Sequence, residues 1–202
     1  MLGSLRIIAV GLIASFLFVM GAHALSAPLR MSVIVERKPD YIEVFVGMPA
    51  TGLKQIFALP EHSLAAADGT VDFESLRSGT WDIGDDAFDT VDARLGGRAV
   101  NFEAMSVMLH PIAERVPFRT AVDATLAVSI CQVDTPPVRP TLSELYAYAG
   151  FISLQNDTKQ PLTLTFSETD RLPWLVDVKI YDDGKLVETS WNVLRDGGSL
   201  SL

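Results

Sequence analysis

The sequence predicts an all-β protein, an antiparallel sandwich that follows an N-terminal signal peptide. After the leader, apolar and polar residues alternate over short segments, which is the periodicity of half-buried strands. Gly, Pro, Asn and Asp separate these segments at short intervals, as in a chain of strands and turns. The main helical candidate, residues 62–67, is short. Many short strands with regular turns are typical of sandwiches and barrels.

The first 24 residues have the order of a secretory leader. Arg6 precedes an apolar run from Ile7 to Met20, and the small-residue motif Ala22-His23-Ala24 follows. The rival interpretation is an uncleaved membrane anchor, which needs roughly 20 apolar residues, more than this run provides. We therefore expect a signal peptide at 1–24, no membrane span after cleavage, and a periplasmic or secreted protein.

The N-terminal half of the remaining chain contains two hairpin signals and one further strand-like run. Segments 32–36 and 41–46 alternate around the turn Lys38-Pro39-Asp40. Gly96-Gly97 lies between two short alternating segments, which is a signal for a two-residue hairpin loop. Residues 120–130 contain many small and branched residues and are predicted to form a strand.

Residues 134–140 are the clearest break in the chain, because three of these seven residues are prolines. We expect 25–202 to be a single β-rich domain, with a possible internal boundary at this segment. Beyond it, Ser143 to Tyr148 could form a short helical turn. The remaining predicted strands are 150–155, 161–166, 176–181, 185–187 and 199–202, and the turn Asp182-Asp183-Gly184 predicts a further hairpin between 176–181 and 185–187.

A resemblance covers the C-terminal quarter of the chain. It rests on Asn156, on 161–166, on 178–187 and on Gly197-Gly198-Ser199. Residues 150–202 resemble immunoglobulin-like sandwich modules of the Bacillus-type intracellular proteinase inhibitor family, and periplasmic copper chaperones of cupredoxin-like fold have a similar layout. The copper ligands of those chaperones are not matched, and Tyr181 stands near the position of a ligand histidine. The resemblance implies an immunoglobulin-like or cupredoxin-like sandwich and carries over no activity.

Charge and cysteine content limit the possible partners. The chain has 25 acidic and 16 basic residues, and its net charge of −9 argues against binding nucleic acid. The single cysteine, Cys131, cannot form an intramolecular disulfide. Because it lies in an apolar stretch, we expect a buried side chain, with an intermolecular disulfide or a reactive thiol as alternatives.

Met105, Met108 and His110 form the most suggestive candidate metal site. Thioether and imidazole ligands suit copper(I). In a regular strand Met108 and His110 share one face and Met105 points away, which would divide the set. The alternative is an ordinary core strand in which methionine fills space.

Two other candidate sites have weaker support in the sequence. An acidic run (Asp82, Asp85, Asp86, Asp89 and Asp92) surrounds Gly84 and could bind calcium, although its spacing is not that of the twelve-residue calcium loop. We expect a solvated acidic loop there. A hydrolase would need His62 as its base, but Glu61 and Ser63 beside it are common helix-start residues, and no nucleophile-elbow motif occurs.

Trp174 and Trp191 lie near turns and are candidate partner-binding residues, since tryptophan is enriched at binding hot spots. A core position is the alternative for each. With no convincing catalytic set, the sequence favours a non-enzymatic protein without a cofactor, which binds a cell-envelope or extracellular macromolecule. The alternative is a periplasmic copper-binding or delivery protein that uses the Met/His strand.

Overall fold

The computed structural model describes residues 29–59, 65–72, 80–129, 138–166, 173–195 and 198–202. The predicted signal peptide, His62, Cys131 and most of the proline-rich segment lie outside these residues. Within the described part of the chain, no helix is both long enough and apolar enough to span a membrane.

Two β-sheets pack together, which confirms the predicted all-β sandwich. The six-stranded sheet has the order β5-β6-β2-β1-β8-β9, and the four-stranded sheet has the order β10-β7-β3-β4. The strands are β1 Leu29–Arg37, β2 Tyr41–Pro49, β3 Val91–Leu95, β4 Arg98–Ala99, β5 Glu103–Pro111, β6 Leu145–Leu154, β7 Leu162–Phe166, β8 Trp174–Asp182, β9 Lys185–Leu194 and β10 Ser199–Ser201. The helices are α1 Thr51–Ile56, α2 Thr80–Asp89 and α3 Ala121–Ser129, with 3₁₀ turns at Ile112–Glu114 and Leu142–Glu144.

The main core lies between the two sheets. Val33, Val44 and Val178 of the six-stranded sheet belong to the same buried cluster as Leu162 and Leu164 of the four-stranded sheet. Helices α1 and α2 add apolar side chains to this cluster. The ring of Phe88 in α2, for example, lies 4.7 Å from that of Phe151 in β6. We call the core-facing side of the six-stranded sheet its inner face and the opposite side its outer face.

The predicted hairpins are confirmed. Strands β1 and β2, β3 and β4, and β8 and β9 pair antiparallel around the expected turns. Asp183 and Gly184 of the last turn have φ values of 48° and 80°, as a two-residue hairpin loop requires. Strands β1 and β8 pair in parallel, whereas the sequence predicts antiparallel pairing. This parallel pair brings N-terminal and C-terminal parts of the chain into one sheet.

The prediction of a strand at 120–130 is wrong, because α3 covers 121–129. The Oγ1 atom of Thr120 accepts a hydrogen bond from the Asp123 amide, and the Asp123 carboxylate accepts one from the Thr120 amide. This reciprocal pair begins the helix as a capping box does. Ala121, Ala124 and Ala127 recur at helical spacing and are buried against the outer face, where they join Ile34 and Phe45 in a second core cluster. Alanine is the strongest helix former, which explains the helix.

Candidate functional site

One row of residues crosses the outer face of the six-stranded sheet. The strand pairings place Tyr148 opposite both Met108 and Gly47, and Ser32 opposite both Gly47 and Asp177. Trp191 completes the row as the partner of Asp177 on β9. Because directly paired residues point to the same side of a sheet, the row brings residues of all six strands of this sheet together on one surface.

A groove lies along the middle of this row. Ser32 contributes little side-chain volume there, Phe118 covers Gly47, and Tyr146 and Trp191 stand at the two ends. Two adjoining cavities, of about 490 Å³ and about 300 Å³, share Ser32, Arg115 and Tyr146 in their walls. We refer to these two cavities together as the outer groove.

The segment 115–119 forms one wall of the outer groove, and two tyrosines of the sheet hold it in place. The hydroxyl of Tyr148 donates a hydrogen bond to the carbonyl oxygen of Val116 at 3.0 Å. The hydroxyl of Tyr181 donates to the carbonyl oxygen of Arg119 at 3.2 Å. The ring of Phe118 packs 5.2 Å from that of Tyr148 and occupies the space beside Gly47. The wall is therefore anchored to the sheet at both ends.

The outer groove is bordered by three arginines, Arg30, Arg115 and Arg119. In the described part of the chain, none of the three guanidinium groups has a carboxylate within ion-pair distance. Asp177 also lines the groove, and its carboxylate pairs with the ammonium of Lys179 at 3.3 Å. The groove thus presents uncompensated positive charge on a chain whose net charge is −9.

Tyr146 supplies an aromatic surface for one of these arginines. The guanidinium carbon of Arg115 lies 5.1 Å from the centre of the Tyr146 ring, which is cation–π geometry. Burial, with a smaller contribution from Tyr148, raises the pKa of Tyr146 to about 12, and the positive charge of Arg115 partly opposes this shift. The Tyr146 hydroxyl therefore stays neutral at physiological pH and leaves the positive charge of Arg115 uncancelled.

The structure separates the two candidate tryptophans. Trp174 is only 3% exposed and packs in the inner core, which favours the core alternative for this residue. Trp191 is 59% exposed and lines the outer groove where it reaches β9. The side chains of strand β8 alternate between core and surface, and Trp174 occupies a core position.

A β-bulge changes the geometry expected for Met105, Met108 and His110. The register of β5 against β6 shifts between Ala104 and Ser106, which makes Met105 the extra residue. Met105 packs against the outer-face cluster beneath α3, and Met108 and His110 lie opposite Tyr148 and Tyr146. All three candidate ligands therefore share the outer face, and the expectation that Met105 points away is wrong.

His110 is the candidate ligand with the most unusual surroundings. It is 3% exposed, its ring lies edge-on to Tyr148 with centroids 5.3 Å apart, and its Nε2 atom has no hydrogen-bond partner among the described residues. Burial lowers the pKa of His110, and a hydrogen bond with the Ala127 backbone opposes this shift to a smaller extent. The imidazole is therefore neutral at physiological pH, which is the state that can bind a metal.

The predicted acidic loop is a helix. Residues 80–89 form α2, and the carboxylate of Asp85 accepts a hydrogen bond at 3.1 Å from the backbone amide of Ala104, beside the bulge of β5. Across the described residues, no three or more His, Cys, Asp or Glu side chains are grouped closely enough to bind a metal ion. The carboxylate of Asp85 therefore helps to position β5, whereas Asp92 of the same run lies in β3 and pairs with Arg94 at 2.9 Å.

Glu36 and Glu43 form a pair of carboxylates on the outer face, at the end of β1 and β2 that lies away from the outer groove. This pair was not identified from the sequence. Glu36 and Glu43 are directly paired across the hairpin, and Glu36 is buried with one oxygen, Oε2, unpartnered. Its other oxygen lies 2.9 Å from the Lys38 ammonium and accepts a hydrogen bond from the Gly184 amide at 2.7 Å. The predicted hairpin could have revealed this pair, because both residues flank the Lys38-Pro39-Asp40 turn.

Comparison with known proteins adds no family to these observations. A search against protein-family models finds no match to the chain, and a search of curated proteins finds no significant sequence similarity. The resemblance of residues 150–202 to inhibitor modules therefore stays a prediction.

Proposed function

We propose that this protein is an exported, non-enzymatic β-sandwich protein that binds another macromolecule, a protein of the cell envelope or the extracellular space. The observation that carries the proposal is the surface of β9. This strand ends the order of the six-stranded sheet and is ten residues long. Four of its apolar side chains are more than half exposed: Leu186, Val187, Trp191 and Val193.

An edge strand of this kind is suited to pairing with an extended segment of a partner. The backbone groups on the open side of an edge strand remain available for hydrogen bonds with an added strand. Proteins usually protect such edges with charged side chains, prolines or short strands. Strand β9 has only two charged residues, Lys185 and Glu188, and contains no proline. Exposed apolar side chains next to an open edge favour binding by strand addition.

Site-specific photo-crosslinking tests the proposal. A benzophenone amino acid is placed at Val193 in β9 or, as a control, at Val122, a valine on α3 that is also more than half exposed. The full chain is expressed in its own host and irradiated. We expect a discrete adduct with one exported protein from position 193 and none from position 122. The captured protein is then purified, and the Trp191→Ala variant is expected to bind it about tenfold more weakly.

Two results would contradict the proposal. Identical adduct patterns from the two positions would indicate random collision. Unchanged affinity of the purified partner for the Trp191→Ala variant would show that the β9 surface is not the binding site.

A second candidate function is copper(I) binding by Met105, Met108 and His110, and the unpartnered Nε2 atom of His110 favours it. Leaving a buried polar nitrogen without a partner is costly, and a metal ion would remove that cost. The hydrogen bond of His110 with the Ala127 backbone would orient the imidazole, as is usual for metal-binding histidines. Thioether sulfurs on the same face of β5 match the preference of copper(I) for soft ligands.

Titration with copper(I) under reducing, oxygen-free conditions tests this candidate, with a chromogenic copper(I) chelator as the competitor. The variant that combines Met105→Leu, Met108→Leu and His110→Gln is expected to lose competitive binding while keeping its circular dichroism spectrum. Met48→Leu is the matched control, since Met48 is a buried methionine of the inner core. Equal copper affinity in the triple variant and the control would exclude this site.

A further inference from the structure

The charge of the outer groove is opposite to that of the chain as a whole. Arg30, Arg115 and Arg119 border the groove without a carboxylate partner among the described residues, although acidic residues outnumber basic ones by 25 to 16. These arginines come from the start of β1 and from the segment 115–119. Their convergence is therefore a product of the fold and is not explained by a basic stretch of sequence.

The outer groove has the length of a short extended peptide. It runs across the strands, from Trp191 on β9 to Tyr146 on β6, which is four strand spacings in the order β6-β2-β1-β8-β9. At ~4.8 Å per spacing, the distance is about 19 Å, the length of about six extended residues at ~3.3 Å each. One end of the groove opens directly at the β9 surface.

The walls combine aromatic rings with guanidinium groups. Tyr146, Tyr148 and Phe118 pack together, with ring centres 5.1 to 5.2 Å apart. Arg115 is held on the Tyr146 ring, and the two tyrosine hydrogen bonds fix the backbone that carries Arg115 and Arg119. A guanidinium restrained in this way loses little freedom when it binds a carboxylate through two parallel hydrogen bonds.

We propose that the outer groove binds the carboxylate groups of an acidic, extended segment of the partner protein. This inference rests on the proposed function, because the acidic segment is the continuation of the chain that pairs with β9. Apolar residues of the segment contact the aromatic walls, and its Asp or Glu side chains, or its C-terminal carboxylate, pair with Arg30, Arg115 and Arg119. A long polyanion such as a nucleic acid would be repelled by the net charge of −9. A short acidic segment interacts mainly with the local positive charge of the groove.

Two synthetic peptides test the inference against the full chain. The first is a fluorescein-labelled seven-residue peptide of alternating Leu and Glu, and the second has Gln in place of every Glu. Binding is followed by fluorescence anisotropy. We expect the Glu peptide to bind, to bind more weakly as salt is added, and to bind at least tenfold more tightly than the Gln peptide.

Arginine variants assign the binding to the groove. Arg30→Gln and Arg115→Gln are each expected to lower the affinity for the Glu peptide about tenfold, since each removes a charge-assisted hydrogen-bond donor. Arg98→Gln is the matched control, because Arg98 is an exposed arginine on β4 of the other sheet. Its affinity for the Glu peptide is expected to equal that of the unsubstituted protein.

The outcomes separate this inference from the proposed function. Equal binding of both peptides, weakened for both by Trp191→Ala, would overturn carboxylate recognition and leave strand addition at β9 standing. Equal losses of Glu-peptide affinity in the Arg98→Gln and Arg115→Gln variants would also overturn carboxylate recognition. So would a failure of the Glu peptide to bind at all. A dimer in sedimentation experiments that dissociates in the Arg115→Gln variant would assign the groove to a second copy of this chain and overturn the proposed partner.

Discussion

The hydroxyl of Tyr148 donates a hydrogen bond to the backbone carbonyl of Val116 at 3.0 Å, which connects strand β6 of the six-stranded sheet to the segment 115–119. The same tyrosine ring packs against Phe118 at an interplanar angle of 40° and stands edge-on to His110. Tyr148 therefore connects the outer groove with the Met/His site. Carboxylate recognition in the groove and copper(I) binding by the Met/His site therefore both depend on the position of this one side chain.

Tyr148→Phe is expected to lower the free energy of unfolding by about 1 kcal/mol, the usual value of one intramolecular hydrogen bond. Without this hydrogen bond, the backbone amides near Val116 should also exchange faster with solvent deuterium. Urea unfolding and hydrogen exchange measure the two effects. Tyr41→Phe is the control, since the Tyr41 hydroxyl has no hydrogen-bond partner in the described part of the chain. Equal effects of the two substitutions would contradict this role of Tyr148.

Gly47→Ala is expected to displace Phe118 and narrow the outer groove. A Cβ atom at this position would lie 3.0 Å from Cδ1 of Phe118 and 3.4 Å from Cε1 of Tyr146. Such overpacking costs about 1–3 kcal/mol of stability, which urea unfolding would show. Adding Phe118→Leu should relieve the contact, so the double variant should lose less stability than the two single changes predict together. Strict additivity would mean that the two side chains do not meet.

Glu43→Gln is expected to stabilise the protein at neutral pH. Burial raises the pKa of Glu43, and the negative charge of Glu36 raises it further, while the Lys38 ammonium opposes both. A carboxyl whose pKa is higher in the folded state favours folding in its protonated form, and it loses this contribution as pH rises through the folded pKa. The variant should therefore gain stability over the unsubstituted protein from about pH 4 upward, with no difference in more acidic solution.

Urea unfolding between pH 3 and pH 8 measures this pH dependence. Glu188→Gln, an exposed glutamate on β9, is the control and should show no comparable change. A stability gain of Glu43→Gln that is independent of pH would rule out the titration of Glu43 as its cause.

The two tryptophans are expected to differ sharply in their effect on stability. Trp174→Ala removes a buried core side chain and should cost about 3–5 kcal/mol. Trp191→Ala removes an exposed side chain and should change the stability by no more than about 0.5 kcal/mol. Urea unfolding of both variants checks the difference. A large loss in Trp191→Ala would indicate that its role is structural and would weaken the case for a binding surface.

Local sequence signals were reliable where a turn determines the pairing. The Lys38-Pro39-Asp40, Gly96-Gly97 and Asp183-Gly184 turns each join the strands that the sequence predicted, because a short loop leaves only antiparallel pairing between its neighbours. The signals failed for 80–89 and 120–130, where acidic and alanine-rich segments form helices α2 and α3. The capping pair of Thr120 and Asp123 was the local signal that could have corrected the second of these predictions.

The sequence by itself determined the fold class, the hairpins, the acidic charge and Met105, Met108, His110 and Trp191 as candidates, because these depend on residue type and on neighbours along the chain. Only the tertiary structure decided that Trp174 is buried, that a bulge turns Met105 to the side of Met108 and His110, and that arginines from 30, 115 and 119 meet at one groove. The physical reason is that exposure and convergence depend on which strands lie next to each other. In this protein β1 lies between β2 and β8. The pairing of β1 with β8 joins residues about 145 positions apart, and no local pattern of side chains encodes such a pairing.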